Sequence, residues 1–354
     1  MPLQLDDYRL LGRSGLRVSP LSLGAMTFGT EGWGSSDEDA RRMVDLYIDR
    51  GGNFIDTANF YGTDGSSERL VGRFIEGHRD RLVVSTKYSL SMRPGDPNAS
   101  GNHRKNMMQS VEASLKRLNT DYIDLLYLHI WDSRTPADEI LRAFDDLVRS
   151  VKILYAGLSD TPAWRATQMQ TIADLRGWTP FVALQIPYNL TERDVERELI
   201  PMAAELGMGV LPWSPLAGGV LSGKYSKGDL GESPGKMTVA PDSRRDILIS
   251  SGRLTQRSIE IAQEVGKIAA ELEVSSAQVA LAWTLLNPAV VSPVLGARTP
   301  AQLEDNLGAL NVVFTDDQVA RLDELSRIPM GFPHTMLEGN AMDMMFGGVK
   351  VQRR

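Results

Sequence analysis

Short β-like runs alternate with helix-period runs along the chain, and this alternation limits the possible fold more than any other feature of the sequence. The order strand, helix, strand is typical of parallel sheets, because a crossover must carry the chain back between two parallel strands. Several runs are almost continuously apolar, as expected for strands buried on both faces. The candidate strands are Leu21–Gly24, Phe54–Asp56, Leu82–Thr86, Ile123–His129, Ile153–Ser159, Val182–Gln185, Gly209–Pro212 and Val290–Leu295.

The segments between these strands place apolar residues at helical spacing. Asp37–Arg50 follows Ser35 and Ser36, which are good N-terminal caps, and it stops at a glycine pair. The other candidate helices are Asn106–Leu118, Ala137–Val151, Thr191–Leu206, Ser275–Leu286 and Pro300–Leu310. A predicted β-hairpin formed by Tyr8–Leu11 and Leu16–Val18 opens the chain.

The residues after the first strand help to distinguish an open sheet from a closed barrel. A doubly wound dinucleotide-binding sheet normally shows G-x-G-x-x-G there, whereas residues 24–29 read GAMTFG. We therefore predict an α/β fold of the (β/α)8 TIM-barrel type with an N-terminal β-hairpin. Such barrels typically need about 250 residues, so we assign residues 1–354 to one barrel domain with two additions. These are a long polar loop at 222–253 and a C-terminal tail at 328–354.

Composition excludes several kinds of site. The chain has no cysteine, which rules out disulfides, thiolate nucleophiles and Cys-based metal centres. Its four histidines, His78, His103, His129 and His334, make a histidine-rich metal centre hard to build. A net charge of −7 gives no electrostatic footprint for nucleic acid or an anionic membrane. We find neither a signal peptide nor a run of about 18 apolar residues, so we expect a cytoplasmic protein without a membrane partner.

Ionisable residues close three successive strands of the predicted barrel, and barrel chemistry sits at that end of the strands. Asp56, Lys87 and His129 follow one another in this way, and Tyr61 lies five residues beyond Asp56. Alone, each has a structural explanation: a turn former, a solvent-directed lysine, a core histidine or a packed loop tyrosine. Together they indicate chemistry, because burying Asp56 beside Lys87 costs several kcal/mol per ion unless the two pair.

The predicted chemistry is proton donation. A free phenol has a pKa of about 10, and a nearby ammonium lowers that pKa by favouring the phenolate. We expect Asp56 to keep Lys87 charged, and Lys87 in turn to make Tyr61 a better acid towards a developing alkoxide. His129 could hydrogen-bond the same carbonyl oxygen. This arrangement suits carbonyl reduction if a hydride donor is present.

At these residues the chain resembles the aldo-keto reductase superfamily, including its bacterial branch related to potassium-channel β subunits. Residues 11–19 (LGRSGLRVS) look like the family's opening hairpin, residues 53–62 (NFIDTANFYG) its Asp/Tyr signature, and residues 124–129 (DLLYLH) its His strand. The resemblance covers nearly the whole chain. It implies a catalytic tetrad of Asp56, Tyr61, Lys87 and His129, and NADPH as the hydride donor to an aldehyde or ketone.

The resemblance also implies how the cofactor is held. Residues 213–225 look like a pyrophosphate loop and residues 295–306 like an adenosine-phosphate segment, in which Arg298 would bind the 2′-phosphate and so favour NADP over NAD. Tyr188 looks like the aromatic that stacks on the nicotinamide. The other implied cofactor contacts are Gly24, Met26, Thr27, Ser159, Asp160, Gln185, Trp213, Ser214, Pro215, Leu216, Gly218, Leu221, Lys224, Gly296, Gln302, Asp305 and Asn306.

The substrate is not readable from the sequence. The resemblance places Phe28, Trp33, Phe60, Ser89 and Trp131 at the barrel mouth, together with the tail. The two tryptophans suggest an apolar or ring-bearing small molecule. Alternative functions remain: an NADPH-binding regulatory protein with little turnover, a metal-dependent barrel hydrolase, and an aldolase that uses Lys87. The direction of reaction and the oligomeric state stay open.

Overall fold

The structure is a computed structural model, and it describes residues 3–230, 244–337 and 341–349. The barrel strands are β3 (Ser22–Gly24), β4 (Phe54–Asp56), β5 (Val83–Tyr88), β6 (Ile123–Leu128), β7 (Ile153–Ser159), β8 (Phe181–Pro187), β9 (Gly209–Trp213) and β10 (Val294–Gly296), preceded by the hairpin strands β1 (Arg9–Leu10) and β2 (Arg17–Val18). The predicted loop and tail therefore lie partly outside the described residues, at 231–243, 338–340 and 350–354.

The barrel sheet contains eight strands, all parallel, in the order β10-β3-β4-β5-β6-β7-β8-β9. A bridge between Val210 and Val290 brings the two edges together, and the Val210 amide donates to Ala289 O at 2.9 Å. The predicted (β/α)8 barrel and the predicted hairpin are confirmed. The last strand is shorter than predicted because Pro293 has no N–H and interrupts the run between Val290 and Val294.

Helices cover the outside of the sheet. They are α1 (Asp37–Asp49), α2 (Ser66–Phe74), α3 (Arg104–Leu118), α4 (Ala137–Arg149), α5 (Ala163–Arg176), α6 (Leu199–Glu205), α7 (Arg244–Ser250), α8 (Gln256–Glu271), α9 (Ser276–Thr284), α10 (Pro300–Leu307), α11 (Asp316–Ser326), α12 (His334–Leu337) and α13 (Ala341–Phe346). The cap predicted for α1 is present, since the Ser36 side chain accepts a hydrogen bond from the Asp39 amide.

The predicted helix Thr191–Leu206 is wrong over its first half. Asn189 Oδ1 accepts the Thr191 amide at 2.8 Å, which holds the chain in a turn instead. A short 3₁₀ turn follows, and α6 begins only at Leu199. Pro201 explains this late start, because proline is tolerated only in the first turn of a helix.

The hairpin closes the barrel end opposite the carboxyl ends of the strands. Leu11 and Val18 are fully buried, and they pack in one cluster with barrel residues such as Phe54 and Leu211. Gly12 lies at φ +55°, and a Cβ added there would be 2.3 Å from Val182 O and 2.5 Å from Gly207 O. Only glycine fits this close approach, because both neighbours are backbone atoms that side-chain rotation cannot move.

We expect Gly12→Ala to lower the free energy of unfolding by about 2 kcal/mol or more, since it adds a backbone clash to an unfavourable positive φ. Gly15→Ala in the same turn is the matched control, because a Cβ there meets nothing within 4 Å. Its free energy of unfolding should change by less than about 0.5 kcal/mol. Urea unfolding followed by circular dichroism measures both, and equal effects would contradict the assigned role of Gly12.

Candidate active site

A buried ion pair lies at the carboxyl ends of β4 and β5. Lys87 Nζ is 2.6 Å from Asp56 Oδ2, and it also donates to the Thr57 carbonyl at 2.9 Å. Lys87 is fully buried and Asp56 almost so. Burial alone would lower the pKa of Lys87, but Asp56, with help from Tyr61, raises that pKa above its usual value. The lysine therefore stays charged, as predicted.

The second carboxylate oxygen of Asp56 is also satisfied. Ser85 Oγ donates to Asp56 Oδ1 at 2.7 Å, and Gln185 Nε2 donates to the same atom at 2.9 Å. The predicted site residues did not include Ser85. Strand alternation was the available signal, because residues i and i+2 share a face of a strand and so Ser85 points with Lys87. Asp56 is thus fixed from β5 and β8.

Tyr61 is half-buried beside this pair, with Lys87 Nζ 4.8 Å from the centroid of its ring. Burial raises the pKa of the phenol, and Lys87 lowers it by a smaller amount, so the pKa lies above its usual value. The predicted lowering of this pKa is wrong in sign, because desolvation outweighs the ammonium. Tyr61 is consequently protonated at neutral pH.

His129 follows β6 and completes the group. Its ring centroid is 5.8 Å from that of Tyr61, and the ring planes meet at 81°. Burial and the Lys87 charge lower the pKa of His129 to about 3, so the imidazole is neutral. Its Nδ1 is buried without a hydrogen-bond partner in the described part of the chain. The four residues predicted as a tetrad therefore lie around one point at the barrel mouth.

The opposite side of the mouth carries polar and aromatic groups. Trp213, at the end of β9, is half-buried and donates from Nε1 to Asp160 Oδ1 at 3.1 Å. Burial raises the pKa of Asp160, and this hydrogen bond partly offsets that rise. Ser159 is buried beside Asp160. Gln185 lies between this side and the ion pair, through its bond to Asp56.

Tyr188, predicted as the stacking aromatic, packs into the protein interior. Only 3% of it is exposed, its ring centroid is 5.3 Å from that of Trp283, and its hydroxyl donates to Glu196 Oε1 at 2.9 Å. A ring packed in this way presents little surface to a ligand. Trp213, by contrast, has a partly open indole ring of the kind that the stacking role predicted for Tyr188 requires. Arg253 Cζ lies 5.0 Å from the centroid of this ring.

A tight loop follows β9. Ser214, Ala217, Gly218 and Gly219 all have positive φ, which turns the backbone sharply around the short 3₁₀ helix Ala217–Ser222. Lys224 folds over this loop, since a Cβ added to Gly219 would be 2.8 Å from its Nζ. Glycine leaves room for the ammonium beside the backbone. Of the other predicted contacts here, Pro215 and Leu216 flank the turn, and Leu221 is fully buried in the core.

The segment after β10 has exposed and buried halves. Arg298 is exposed and has no ion pair within the described ranges, and its amide donates to Gln302 Oε1 at 3.0 Å. Asp305 instead accepts from Ser275 Oγ and Gln278 Nε2, both at 2.9 Å, so its carboxylate is occupied. Asn306 is buried with Nδ2 3.5 Å from the Gly296 carbonyl.

The loop after β3 borders this segment. Thr27 Oγ1 donates to the Ala297 carbonyl at 2.8 Å, and Met26 is exposed at the same rim. A Cβ added to Gly24 would be 2.8 Å from Val294 Cγ1, so this glycine permits the close pairing of β3 with β10. These contacts place the predicted residues beside Arg298.

The predicted substrate residues divide into two groups. Phe60, Trp33 and Trp131 keep exposed surface, and Phe60 is 50% exposed. Phe28 is instead fully buried, with its ring edge-on to Phe74 at 6.5 Å. Ser89 is buried too, and its Oγ accepts the Ile130 amide at 3.1 Å. Their positions suit a supporting role better than substrate contact.

Within residues 3–230, 244–337 and 341–349, no three or more His, Asp or Glu side chains are grouped so that they could hold a metal ion. No helix in these ranges has the length and apolar character needed to cross a membrane.

Comparison with known proteins gives a consistent assignment. A norsolorinic acid reductase of Aspergillus flavus is 36% identical over 349 residues, covering 95% of this chain and 85% of the relative. An aryl-alcohol dehydrogenase [NADP(+)] of Phanerodontia chrysosporium is 36% identical over 362 residues, covering 97% and 91%. An uncharacterised oxidoreductase of Bacillus subtilis is 36% identical over 336 residues, covering 92% and 97%.

The sequence model of the aldo/keto reductase family matches residues 20–327, which include every barrel strand and all four residues around the buried ion pair. The chain therefore belongs to the aldo/keto reductase family.

Proposed function

We propose that this protein reduces an aldehyde or ketone to an alcohol with NADPH, and that Tyr61 is the general acid. The observation that supports this most is the state of the Tyr61 phenol. The phenol keeps its proton at neutral pH, since its pKa lies above the ordinary value, and its ring centroid is 4.8 Å from the charged Lys87 Nζ and 5.8 Å from the centroid of the neutral His129 ring. A protonated phenol beside a cation can donate to a developing alkoxide, whose charge the ammonium stabilises.

Each of the four residues has a distinct part in this proposal. Tyr61 donates the proton, and Lys87 stabilises the phenolate that remains. Asp56 keeps Lys87 charged and in place. A neutral imidazole carries one N–H donor, so His129 can hydrogen-bond the carbonyl oxygen and orient it. The same groups serve alcohol oxidation in reverse, with the Tyr61 phenolate accepting the proton.

The cofactor proposal rests on groups that fit a dinucleotide phosphate. NADPH, when bound, supplies the hydride. Lys224 over Gly219 offers a cation beside a tightly turned backbone. Arg298, which forms no ion pair with any residue the structure describes, offers a guanidinium to the 2′-phosphate. We assign the stacking role to Trp213 in place of Tyr188, because Trp213 is the partly open ring. Asp160, Ser159 and Gln185 would line the carboxamide. The aryl-alcohol dehydrogenase named above carries NADP(+) in its printed name.

We extend the proposal to the organisation of the chain. Residues 1–354 would form one barrel domain, with 222–253 on the cofactor side and 328–354 on the substrate side. Two contacts support the second assignment: Arg197 Nη2 donates to the Pro329 carbonyl at 2.8 Å, and His334 Nε2 is 3.0 Å from Glu198 Oε1. Both tether the start of the tail to the segment that follows β8.

Tyr61→Phe should bind NADPH as the wild type does and lose more than about 100-fold in kcat, because the variant keeps the ring and loses the acid. NADPH fluorescence measures binding, and absorbance at the nicotinamide band measures turnover with a panel of aldehydes and ketones. Tyr8→Phe is the control, since Tyr8 lies at the opposite end of the barrel, where its hydroxyl donates to the Gly51 carbonyl.

Unchanged kcat in Tyr61→Phe would exclude the acid role. Tight NADPH binding without consumption by the wild type, over the whole panel, would instead favour the regulatory alternative.

Arg298→Ala should raise the Kd for NADPH about 10-fold or more and change the Kd for NADH by less than about twofold, because only NADPH has the 2′-phosphate. The two dissociation constants can be compared by fluorescence titration. Arg81→Ala is a matched control with an exposed arginine just before β5, at the other end of the barrel. Equal losses for both nucleotides would contradict the assigned contact.

A further inference from the structure

An aromatic and cationic cluster lies beside the proposed active site, and we call Trp131, Trp164 and Arg165 the rim cluster. Trp131 follows His129 by two residues, while Trp164 and Arg165 lie in the first turn of α5, directly after β7. The two indole rings meet edge to face, with centroids 5.4 Å apart. Arg165 Cζ is 4.8 Å from the Trp131 centroid and 4.7 Å from the Trp164 centroid.

The donors of this cluster are not fully used. Trp131 Nε1 and Arg165 Nε are buried and lack hydrogen-bond partners among the residues described. Arg165 Nη1 donates to the neutral Gln168 Oε1 at 2.6 Å, and the described residues provide no ion pair for this arginine. A buried donor without an acceptor costs about 1–3 kcal/mol, so the guanidinium and indole groups would gain from an acceptor supplied from outside.

The acidic residues nearest in the chain are already occupied. Asp132 accepts from the Asn102 amide and from both the amide and the hydroxyl of Thr135, and these hydrogen bonds lower its pKa against the effect of burial. Asp160 accepts from Trp213. Asp138 borders the same groove as Arg165 but forms no ion pair with it. Arg165 therefore remains a positive group whose charge is not neutralised by a direct partner.

We propose that the rim cluster binds the distal, negatively charged end of an aromatic carbonyl substrate, such as a ring that carries a carboxylate. This inference rests on the proposed function, because the carbonyl end would lie at Tyr61 and His129. Trp131 connects the two ends, because it lies two residues after His129 and its ring centroid is 4.8 Å from Arg165 Cζ. Trp164 offers the ring a partly exposed indole edge, and Arg165 offers its anion a charge-assisted hydrogen bond.

The test compares 4-carboxybenzaldehyde with the neutral 4-nitrobenzaldehyde on the full-length protein. Arg165→Met should lower kcat/KM for the carboxylate by about 10-fold or more, mainly through KM, and change kcat/KM for the nitro compound by less than about twofold. Arg176→Met is the matched control, since Arg176 lies on the same helix and its Cζ is 5.9 Å from the ring centroid of Trp178. It should alter neither substrate's kcat/KM by more than about twofold.

A second variant tests the aromatic part. Trp164 is 60% exposed, so Trp164→Ala should fold normally. It should lower kcat/KM for both benzaldehydes about threefold or more and leave that for butanal unchanged. Equal losses for aromatic and aliphatic aldehydes would overturn the role of the indole.

Binding separates this inference from the proposed function. The Kd of 4-carboxybenzaldehyde, measured by tryptophan fluorescence in the absence of turnover, should rise about 10-fold in Arg165→Met. If the wild type reduces no aldehyde but the Kd still rises about 10-fold in Arg165→Met, the proposed function fails and the rim cluster is supported as a binding site. If the wild type reduces both aldehydes and Arg165→Met changes kcat/KM for the carboxylate and for the nitro compound by the same factor, the inference is overturned.

Discussion

The buried pair of Asp56 and Lys87 is the interaction on which the rest of the site depends. Two charges removed from water cost several kcal/mol each unless every oxygen and proton is matched. Here Ser85 and Gln185 satisfy the remaining carboxylate oxygen, and the Thr57 carbonyl takes a second lysine proton. The pair thereby links β4, β5 and β8, and removing either partner would leave an uncompensated charge in the barrel. The charge of Lys87 also lowers the pKa values of Tyr61 and His129, in addition to the effect of burial on each.

The barrel explains why so few residues build this site. Parallel strands bring their carboxyl ends to one rim, and the four catalytic candidates come from three successive strands: Asp56 and Tyr61 from β4 and the loop after it, Lys87 from β5, and His129 from the residue after β6. The opposite end is closed by the hairpin, whose Gly12 passes within contact of the β8 backbone. Stability at one end and chemistry at the other are therefore separable by mutation. The rim cluster extends the same arrangement outward: Trp131 lies two residues after His129 beyond β6, and the helix after β7 brings Trp164 and Arg165 against Trp131.

Most of the barrel and the four central residues could be predicted, because apolar strand runs and polar strand ends are both visible in the sequence. The direction of the Tyr61 pKa shift could not be predicted from the sequence. It depends on whether burial raises the pKa by more than the Lys87 ammonium lowers it. Tyr188 and Trp213 show the same limit: both are aromatics at strand ends, and only packing against Trp283 distinguishes the buried ring from the open one. The late start of α6 followed from an Asn189 side-chain bond and Pro201, which local periodicity does not register.

The central claim is that burial outweighs the lysine ammonium 4.8 Å from the Tyr61 ring, so that the pKa of this phenol lies above its ordinary value. The most direct test is a ¹³C NMR titration of protein labelled at the tyrosine Cζ, with the Tyr61 resonance assigned by its absence in Tyr61→Phe. The account predicts that Tyr61 titrates above the ordinary phenol value of about 10. A pKa below about 9 would show that the Lys87 field outweighs desolvation, and it would contradict the account.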